Sequence, residues 1–233
     1  MRDQIKQKST EMLIRYGYRG LRFQQIADAL GITRSNIHYH FGSKHALAEE
    51  VVLDYTTVTL TMFEAVWDAP DTSFQTKITQ TKDLNLRRYL AFNPEGVSGN
   101  PWSLIARMRA EREVLSQRSR TALTDFGKGL ERCMTRGVRM AIERGELRAD
   151  APVADIVLQL VSIANSAGPI TQDADGFERL EHLYMAVARI VQHAYGAPGL
   201  APEAMTGLEV SPANRSKAAR AQQRRGKQAA RSN

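Results

Sequence analysis

The chain has a cluster of hydrogen-bonding side chains between positions 34 and 39. The members are Arg34, Ser35, Asn36, His38 and Tyr39, and each can donate a hydrogen bond. Arginine can also form two parallel hydrogen bonds with one guanine, which makes Arg34 the best candidate for reading a base edge. Such a short polar segment is typical of a helix that lies in the major groove of DNA.

Other residues could do different chemistry. His38, His40 and His45 lie close together, but no cysteine or carboxylate nearby completes a metal-ligand set. We find no Gly-rich phosphate loop, nucleophile elbow or metal-ligand spacing. We therefore expect no metal, no cofactor and no enzymatic activity.

Cys133 and Arg109 each leave two interpretations open. Cys133 is the single cysteine, so an internal disulfide is impossible, which fits a reducing cytoplasm. Its thiol either senses oxidants, if exposed with a lowered pKa, or packs as a small apolar side chain. Arg109 lies in a charge run that by default faces solvent, but an inward guanidinium could bind an acidic ligand.

The positive charge is concentrated at the two ends of the chain. Of the formal net charge of +7, residues 1–48 contribute +5, residues 49–210 contribute −5 and residues 211–233 contribute +7. Basic ends suggest a polyanionic partner such as nucleic acid, although basic tails are also common solubilising appendages. The N-terminus carries no apolar signal core, and no apolar run approaches the ~18 residues of a membrane span, so we expect no membrane partner.

The elements that must position these residues are all helical. We find no alternating strand pattern, and we predict an all-α fold of about nine helices. The predicted helices span Arg2–Tyr16, Arg22–Leu30, Thr33–Phe41, Lys44–Trp67, Ser73–Phe92, Trp102–Ser116, Arg118–Arg144, Pro152–Ser166 and Asp175–Tyr195. Gly168-Pro169 should end the eighth helix, and residues 197–233 have the composition of a disordered, basic tail.

The segment from Leu21 to Lys44 predicts a helix-turn-helix at about residues 22–41. Ala27 is small where a crossing helix must approach, and Gly31 occupies a turn that favours a left-handed backbone. Thr33 is placed to cap the third helix. That helix has about nine residues, too few for stability alone, and therefore depends on its neighbours.

These residues resemble the TetR family of transcriptional regulators (TetR/AcrR type). The resemblance is dense over residues 1–55, and the ITRSNIHYHFGSK block is specific. The matching residues are Gly17-Tyr18, Ile26-Ala27, Leu30-Gly31-Ile32, Thr33, Ile37, Tyr39-His40-Phe41, Ser43-Lys44 and Leu47.

The resemblance implies roles for individual residues of the N-terminal DNA-binding segment, which we call the head. The implied DNA base contacts are Gln24, Arg34, Ser35 and His38, and the implied phosphate contacts are Arg22, Asn36, Tyr39, His40 and Lys44. Arg22 replaces the usual Thr or Ser cap, and His38 replaces the usual Tyr. His40 also has the alternative of simply packing in the head.

The resemblance further implies three regions: a DNA-binding head at 1–55, a ligand-binding and dimerisation body at 56–196, and the tail at 197–233. The last two helices would pair with their copies through apolar stripes containing Ile156 and Leu160, and Leu180 and Val187, unless those stripes face their own core. An apolar pocket for a small-molecule effector would be lined by Phe63, Trp102, Leu104, Ile105, Met108, Phe126, Leu130 and Met134.

The function that these expectations favour is a cytoplasmic, ligand-responsive repressor that binds a palindromic operator in double-stranded DNA as a homodimer and is nucleoid-associated when bound. One alternative is an enzyme with a small-molecule pocket. The other is a non-specific architectural DNA binder, in which the tail dominates binding and the third helix is dispensable.

Overall fold

The structure, a computed structural model, describes residues 1–96 and 98–197, and the predicted tail at 197–233 lies almost entirely outside them. Within this part of the chain there are nine α-helices and no strand, and a single β-bridge joins Leu147 to Gly196. The helices are α1 (Arg2–Gly20), α2 (Phe23–Leu30), α3 (Arg34–Phe41), α4 (Lys44–Trp67), α5 (Phe74–Leu90), α6 (Leu104–Ala110), α7 (Gln117–Glu143), α8 (Val153–Asp173) and α9 (Glu178–Tyr195). The all-α prediction is confirmed.

Helix α1 contains a break at Gly17. Its backbone there has φ +70° and ψ −177°, a conformation essentially confined to glycine. The sequence placed the helix end at Tyr16, and a last turn follows the break and extends α1 to Gly20. The prediction that Tyr16 lies on the buried face with Ile5 and Leu13 is wrong, since Tyr16, the last residue before the break, is 56% exposed.

The turn between α2 and α3 forms as the residue types predict. Gly31 adopts the left-handed conformation, at φ +64° and ψ +33°. The Thr33 side chain accepts a hydrogen bond from the backbone N–H of Asn36 at 3.2 Å, which caps α3. Ile37 and Ala27 are buried where the two helices cross. The short third helix is therefore held by a cap and by packing on its neighbour.

Helix α4 runs without interruption from the head into the body, as its predicted bounds indicated. Ser43 caps its first turn by accepting from the Ala46 N–H at 3.1 Å. At its other end the Lys77 ammonium donates to the carbonyl of Trp67 at 3.1 Å and contacts those of Val66 and Ala69. The boundary that we predicted at residue 55 lies inside this helix.

The segment after residue 101 contains a shorter helix than predicted. Instead of one helix from Trp102 to Ser116, α6 ends at Ala110, and a single 3-10 turn follows at Arg112–Val114. The α-helix stops because Glu111 takes φ −110° and ψ +30° and turns its carboxylate toward α1, where it accepts the Tyr18 N–H at 2.7 Å.

Helix α8 continues through Pro169, so the prediction that Gly168-Pro169 ends it is wrong. Proline costs one backbone hydrogen bond, but contacts with the body hold the last turn. The Trp102 indole N–H donates to the hydroxyl of Thr171 at 2.7 Å, and Gly168 packs closely on α6. Helix α9 begins later than predicted, at Glu178, because Asp175 takes a left-handed conformation (φ +49°).

Because α8 extends to Asp173, it is longer and more apolar than the sequence pattern suggested. By length and composition alone it could cross a membrane, with a mean hydropathy of 1.4 over its most apolar window. This corrects the expectation that no apolar stretch is long enough. One such helix is weak evidence for a membrane span. In that window 28% of the residues are buried, and Leu158 is the large apolar side chain of α8 that is exposed.

Candidate functional site

Helix α3 presents a polar face to solvent. Arg34, Ser35 and Tyr39 are exposed, and Tyr39 is 85% exposed. On the opposite side Ile37 and Phe41 are buried in the head. The phenol and the guanidinium are therefore free to reach outward, and these three of the side chains predicted to contact DNA share one surface.

His38 lies on the same surface but is turned toward the protein. Its Nδ1 is 3.0 Å from the carbonyl oxygen of Gly42, and its ring packs edge-on against Phe23 with centroids 4.8 Å apart. The second ring nitrogen, Nε2, is the atom left for a base edge. The orientation of the His38 ring is therefore fixed by Gly42 and Phe23, contacts that the sequence did not indicate.

The positively charged edge of the head is formed by Lys44 and Arg22. The Lys44 ammonium lies 4.6 Å from the Tyr18 ring centroid and 3.4 Å from the Arg19 carbonyl oxygen. Burial, and then the positive charge of Arg22, lower the pKa of Lys44. A phosphate would relieve that repulsion, and Lys44 stands at the start of α4, where backbone amides also favour an anion.

The remaining predicted contacts are placed less simply. Gln24 is exposed on α2 and donates to Asp28 at 2.7 Å. His40 is half-buried, and its ring centroid lies 5.4 Å from that of Tyr39 and 6.3 Å from that of Phe41. The buried Oδ1 of Asn36 has no hydrogen-bond partner in the described residues.

Arg2 positions the end of α3, a role that the sequence did not reveal. Its guanidinium contacts the His40 carbonyl, lies 4.3 Å from the Phe41 ring centroid and pairs with Glu50 at 2.5 Å. Lys6 pairs with Asp54 at 2.8 Å, one turn further along both helices. The matching four-residue spacing in α1 and α4 was the available signal.

A narrow cavity lies in the body between α4, α5, α6, α7 and α8. Its volume of about 10 Å³ has room for one water molecule at most. It is lined by Phe63, Asn85, Arg88, Trp102, Ser103, Ile105, Arg109, Phe126, Ala164, Asn165 and Ala167. Of the predicted pocket residues, four line it: Phe63, Trp102, Ile105 and Phe126. The other four, Leu104, Met108, Leu130 and Met134, are buried elsewhere in the core.

Two arginines face this cavity. Arg109 donates to the side-chain oxygen of Asn165 at 2.7 Å and to the Leu123 carbonyl at 3.4 Å. Arg88 donates to the Tyr55 hydroxyl at 2.6 Å. The sequence offered the inward position of Arg109 as an alternative and missed Arg88, since one inward arginine on a polar helix leaves no periodic signal.

Cys133 is fully buried, and its thiol donates to the Leu130 carbonyl at 3.2 Å. Burial raises the pKa of this thiol to about 12. The packing interpretation therefore describes Cys133 better than oxidant sensing, which needs an accessible thiolate.

A single stretch of chain contacts both the cavity and the head. Arg109 lies on the cavity wall, and two residues later Glu111 accepts the Tyr18 N–H of α1. Its Oε1 would lie only 1.9 Å from a Cβ added at Gly17. Glycine at position 17 is therefore required both by the backbone conformation and by the close approach of Glu111.

A head with a scaffolded helix-turn-helix, joined to a helical body, defines the class of helix-turn-helix DNA-binding proteins. Residues 7–51 match the family described as bacterial regulatory proteins, tetR family. No curated protein sequence matches the chain.

Solved structures resemble the whole described chain. Reduced NemR from E. coli superposes with a TM-score of 0.70 at 15% identity, covering 85% of this chain and 98% of that one. A TetR transcriptional regulator from Legionella pneumophila gives 0.66 at 17% identity, covering 82% and 97%. A putative transcriptional regulator from Saccharomonospora viridis, in complex with choline, gives 0.67 at 18% identity, covering 84% and 97%.

The head is thus similar to the DNA-binding segment of the tetR family of bacterial regulatory proteins. The family match lies in the head, and the solved structures share the fold of head and body.

Proposed function

We propose that this protein is a transcriptional regulator of the TetR family, a repressor that binds a palindromic operator as a homodimer and leaves it when a small molecule enters the body. The observation that carries the DNA-binding part is the exposed face of α3, with Arg34, Ser35 and Tyr39 on one side of a helix whose other side is buried. Arg34 is the residue we expect to read guanine, and Tyr39 and Lys44 to hold phosphates.

The proposed dimer forms through the uncovered apolar faces of α8 and α9. The stripes named from the sequence mostly face their own core: Leu160, Leu180 and Val187 are buried. The residues left outside are Leu158, 66% exposed, and Ile190, 60% exposed. A second copy would cover these two large apolar side chains on adjacent helices. A two-fold axis there would set two heads against two half-sites.

The proposed effector site is the cavity in the body. It supports this role because α6 forms part of its wall through Arg109, and Glu111, the residue that follows α6, contacts the head. A ligand that needs more room than one water must displace the walls. Release from DNA would then follow from the altered position of α6 against α1.

The DNA-binding proposal is tested by Arg34→Ala with Arg15→Ala as the matched control. Arg15 is an exposed arginine of the same head, but it lies near the Phe92 ring of the body, at 5.9 Å. Operator sequences are first selected from random DNA with the full chain. Arg34→Ala should cost about 1–3 kcal/mol on the selected site and relax one base position. Arg15→Ala should leave the preference unchanged.

Truncation of residues 211–233 separates this proposal from a non-specific architectural binder. The truncated chain should keep its sequence preference and lose only salt-sensitive, non-specific affinity. The proposal is wrong if Arg34→Ala preserves the preference while truncation abolishes all binding.

The dimer is tested by Leu158→Glu, with Ala154→Glu as the control. Ala154 is also exposed on α8, so the control adds the same charge to the same helix without removing a large apolar side chain. Light scattering should show that Leu158→Glu shifts the protein toward monomer and that Ala154→Glu does so less. A monomeric wild type at micromolar concentration would refute the dimer.

A further inference from the structure

We propose that the effector is a small organic carboxylate with an apolar or aromatic body, recognised through Arg88 and Arg109. This inference rests on the proposed function, because it names the class of ligand that the body cavity would take. It comes from the cavity's charge and from the kind of surface around that charge.

The cavity is positively charged without a compensating acid. Its wall holds two guanidinium groups, and within residues 1–96 and 98–197 no aspartate or glutamate lines it. No carboxylate of that part of the chain lies within 4.0 Å of Arg88 or Arg109, whereas Arg107, close to Arg109 in sequence, pairs with Glu111 at 3.3 Å.

All the hydrogen-bond partners of these two arginines are neutral. They are the Tyr55 hydroxyl for Arg88, and the Asn165 amide oxygen and the Leu123 carbonyl for Arg109. These acceptors orient the guanidinium groups but cancel no charge. Each guanidinium has five N–H donors, so donors remain for a ligand.

A partly buried guanidinium without an anionic partner destabilises the folded protein. Arg109 is half-buried, and desolvation, followed by the charge of Arg112, lowers its pKa. A cation held away from water without an anion opposes folding. A bound carboxylate would supply the missing charge through the bidentate geometry that arginine favours.

The rest of the wall fits an apolar body. Phe63 and Phe126 pack edge to face, with ring centroids 6.4 Å apart, and Trp102 stands beside Arg88 at 5.6 Å. The Trp102 indole N–H is already bonded to Thr171, so its ring offers only an apolar face. In such surroundings a monoanion is less costly to desolvate than a doubly charged phosphate monoester, which favours a carboxylate.

A cation is the ligand that this wall excludes. The regulator from Saccharomonospora viridis was crystallised in complex with choline, a quaternary ammonium. Aromatic rings suit such a ligand, but here two guanidinium groups would repel it. We therefore expect the two proteins to bind different classes of ligand although they share a fold.

The test uses three probes that share one body and differ in charge: 4-phenylbutyrate, 4-phenylbutanol and 4-phenylbutylamine, with choline as a fourth. Binding to the full chain is measured by calorimetry and by thermal shift, up to about 10 mM. Only the carboxylate should bind and raise the melting temperature. Longer and shorter phenylalkanoates define the length that the cavity accepts.

Arg109→Gln and Arg88→Gln should each weaken carboxylate binding about 10- to 100-fold, the loss of one charge-assisted interaction. Arg132→Gln is the matched control, because Arg132 is an exposed arginine of α7 outside the cavity. It should bind the carboxylate like the wild type. The unliganded Gln variants should melt no lower than the wild type, which shows that they fold.

Three outcomes would overturn the inference: the amine, choline or the alcohol binds as tightly as the carboxylate; no phenylalkanoate binds; or both Gln variants bind it unchanged. Operator binding is measured in parallel. If the wild type fails to bind any selected DNA, the proposed function is wrong. If it binds DNA but not the carboxylate, only this inference is wrong.

Discussion

Replacing Gly17 by alanine should destabilise the protein by two separable effects. The first is backbone strain, because φ +70° with ψ −177° is a glycine conformation that costs other residues about 1–3 kcal/mol. The second is displacement of Glu111, since the new Cβ would lie 1.9 Å from its Oε1. The hydrogen bond from the Tyr18 N–H to this carboxylate would then be lost, at about 1.5–3 kcal/mol.

The two effects can be separated with a double-mutant cycle. In a Glu111→Ala background no carboxylate opposes the new methyl group, so Gly17→Ala should cost only the backbone strain. The difference between the two backgrounds is the coupling between head and body at this contact, and we expect it to be about 1.5–3 kcal/mol.

The assay is urea unfolding of the four proteins, followed by circular dichroism. Gly31→Ala serves as a reference, because Gly31 has a similar φ of +64° but nothing lies within 4 Å of its added Cβ. It should cost strain alone and be insensitive to Glu111→Ala. Equal costs of Gly17→Ala with and without Glu111 would refute the proposed contact.

Three further predictions concern buried or capping groups. The buried Cys133 thiol should resist a thiol reagent in the native protein at pH 8, and rapid labelling would contradict this. Because burial raises the pKa of this thiol to about 12, its contribution to the free energy of unfolding should be lost as the pH rises from about 9 to 12. Cys133→Ala should not show this loss. Lys77→Met should lower the free energy of unfolding by about 1–3 kcal/mol, because it leaves carbonyls at the end of α4 unpaired. Lys128→Met, at an exposed position, should leave it unchanged. Equal effects of the two changes would disprove a stabilising role of the Lys77 ammonium. Thr33→Ala should lower the stability measured by thermal unfolding by about 1 kcal/mol, and Thr33→Ser should retain most of that stability, because serine can make the same cap. No loss in Thr33→Ala would show that the 3.2 Å hydrogen bond does not stabilise α3.

The head could be predicted closely from the sequence because its signals are local. The turn glycine, the Thr33 cap and the alternation of buried and polar residues all act within a few positions. The body was predicted less well where a distant contact decides the outcome. Pro169 is an ordinary helix stop by its own chemistry, and only the bond between Trp102 and Thr171 shows why α8 continues past it.

The candidate sites follow the same division. The exposed side chains of α3 were predictable, since a short helix buried on one side must present the other. The cavity was predicted in part, because Phe63 and Met134 have the same apolar pattern and only tertiary packing sends the first to the cavity and the second into the core. Arg88 shows the limit, because its inward direction depends on Tyr55, which is 33 residues away in sequence.

The shortness of α6 has an energetic consequence for how the protein can respond to a ligand. A seven-residue helix contributes almost no stability of its own and keeps its form only through what it touches at each end. Rearranging it costs little, whereas bending the 24-residue α4 would break an extended ladder of hydrogen bonds. A ligand shifts such an element only by the difference between its affinities for the two arrangements, and a small rearrangement cost lowers the difference that is needed. The fold thus places a short helix, held mainly by its contacts, between the cavity and the head.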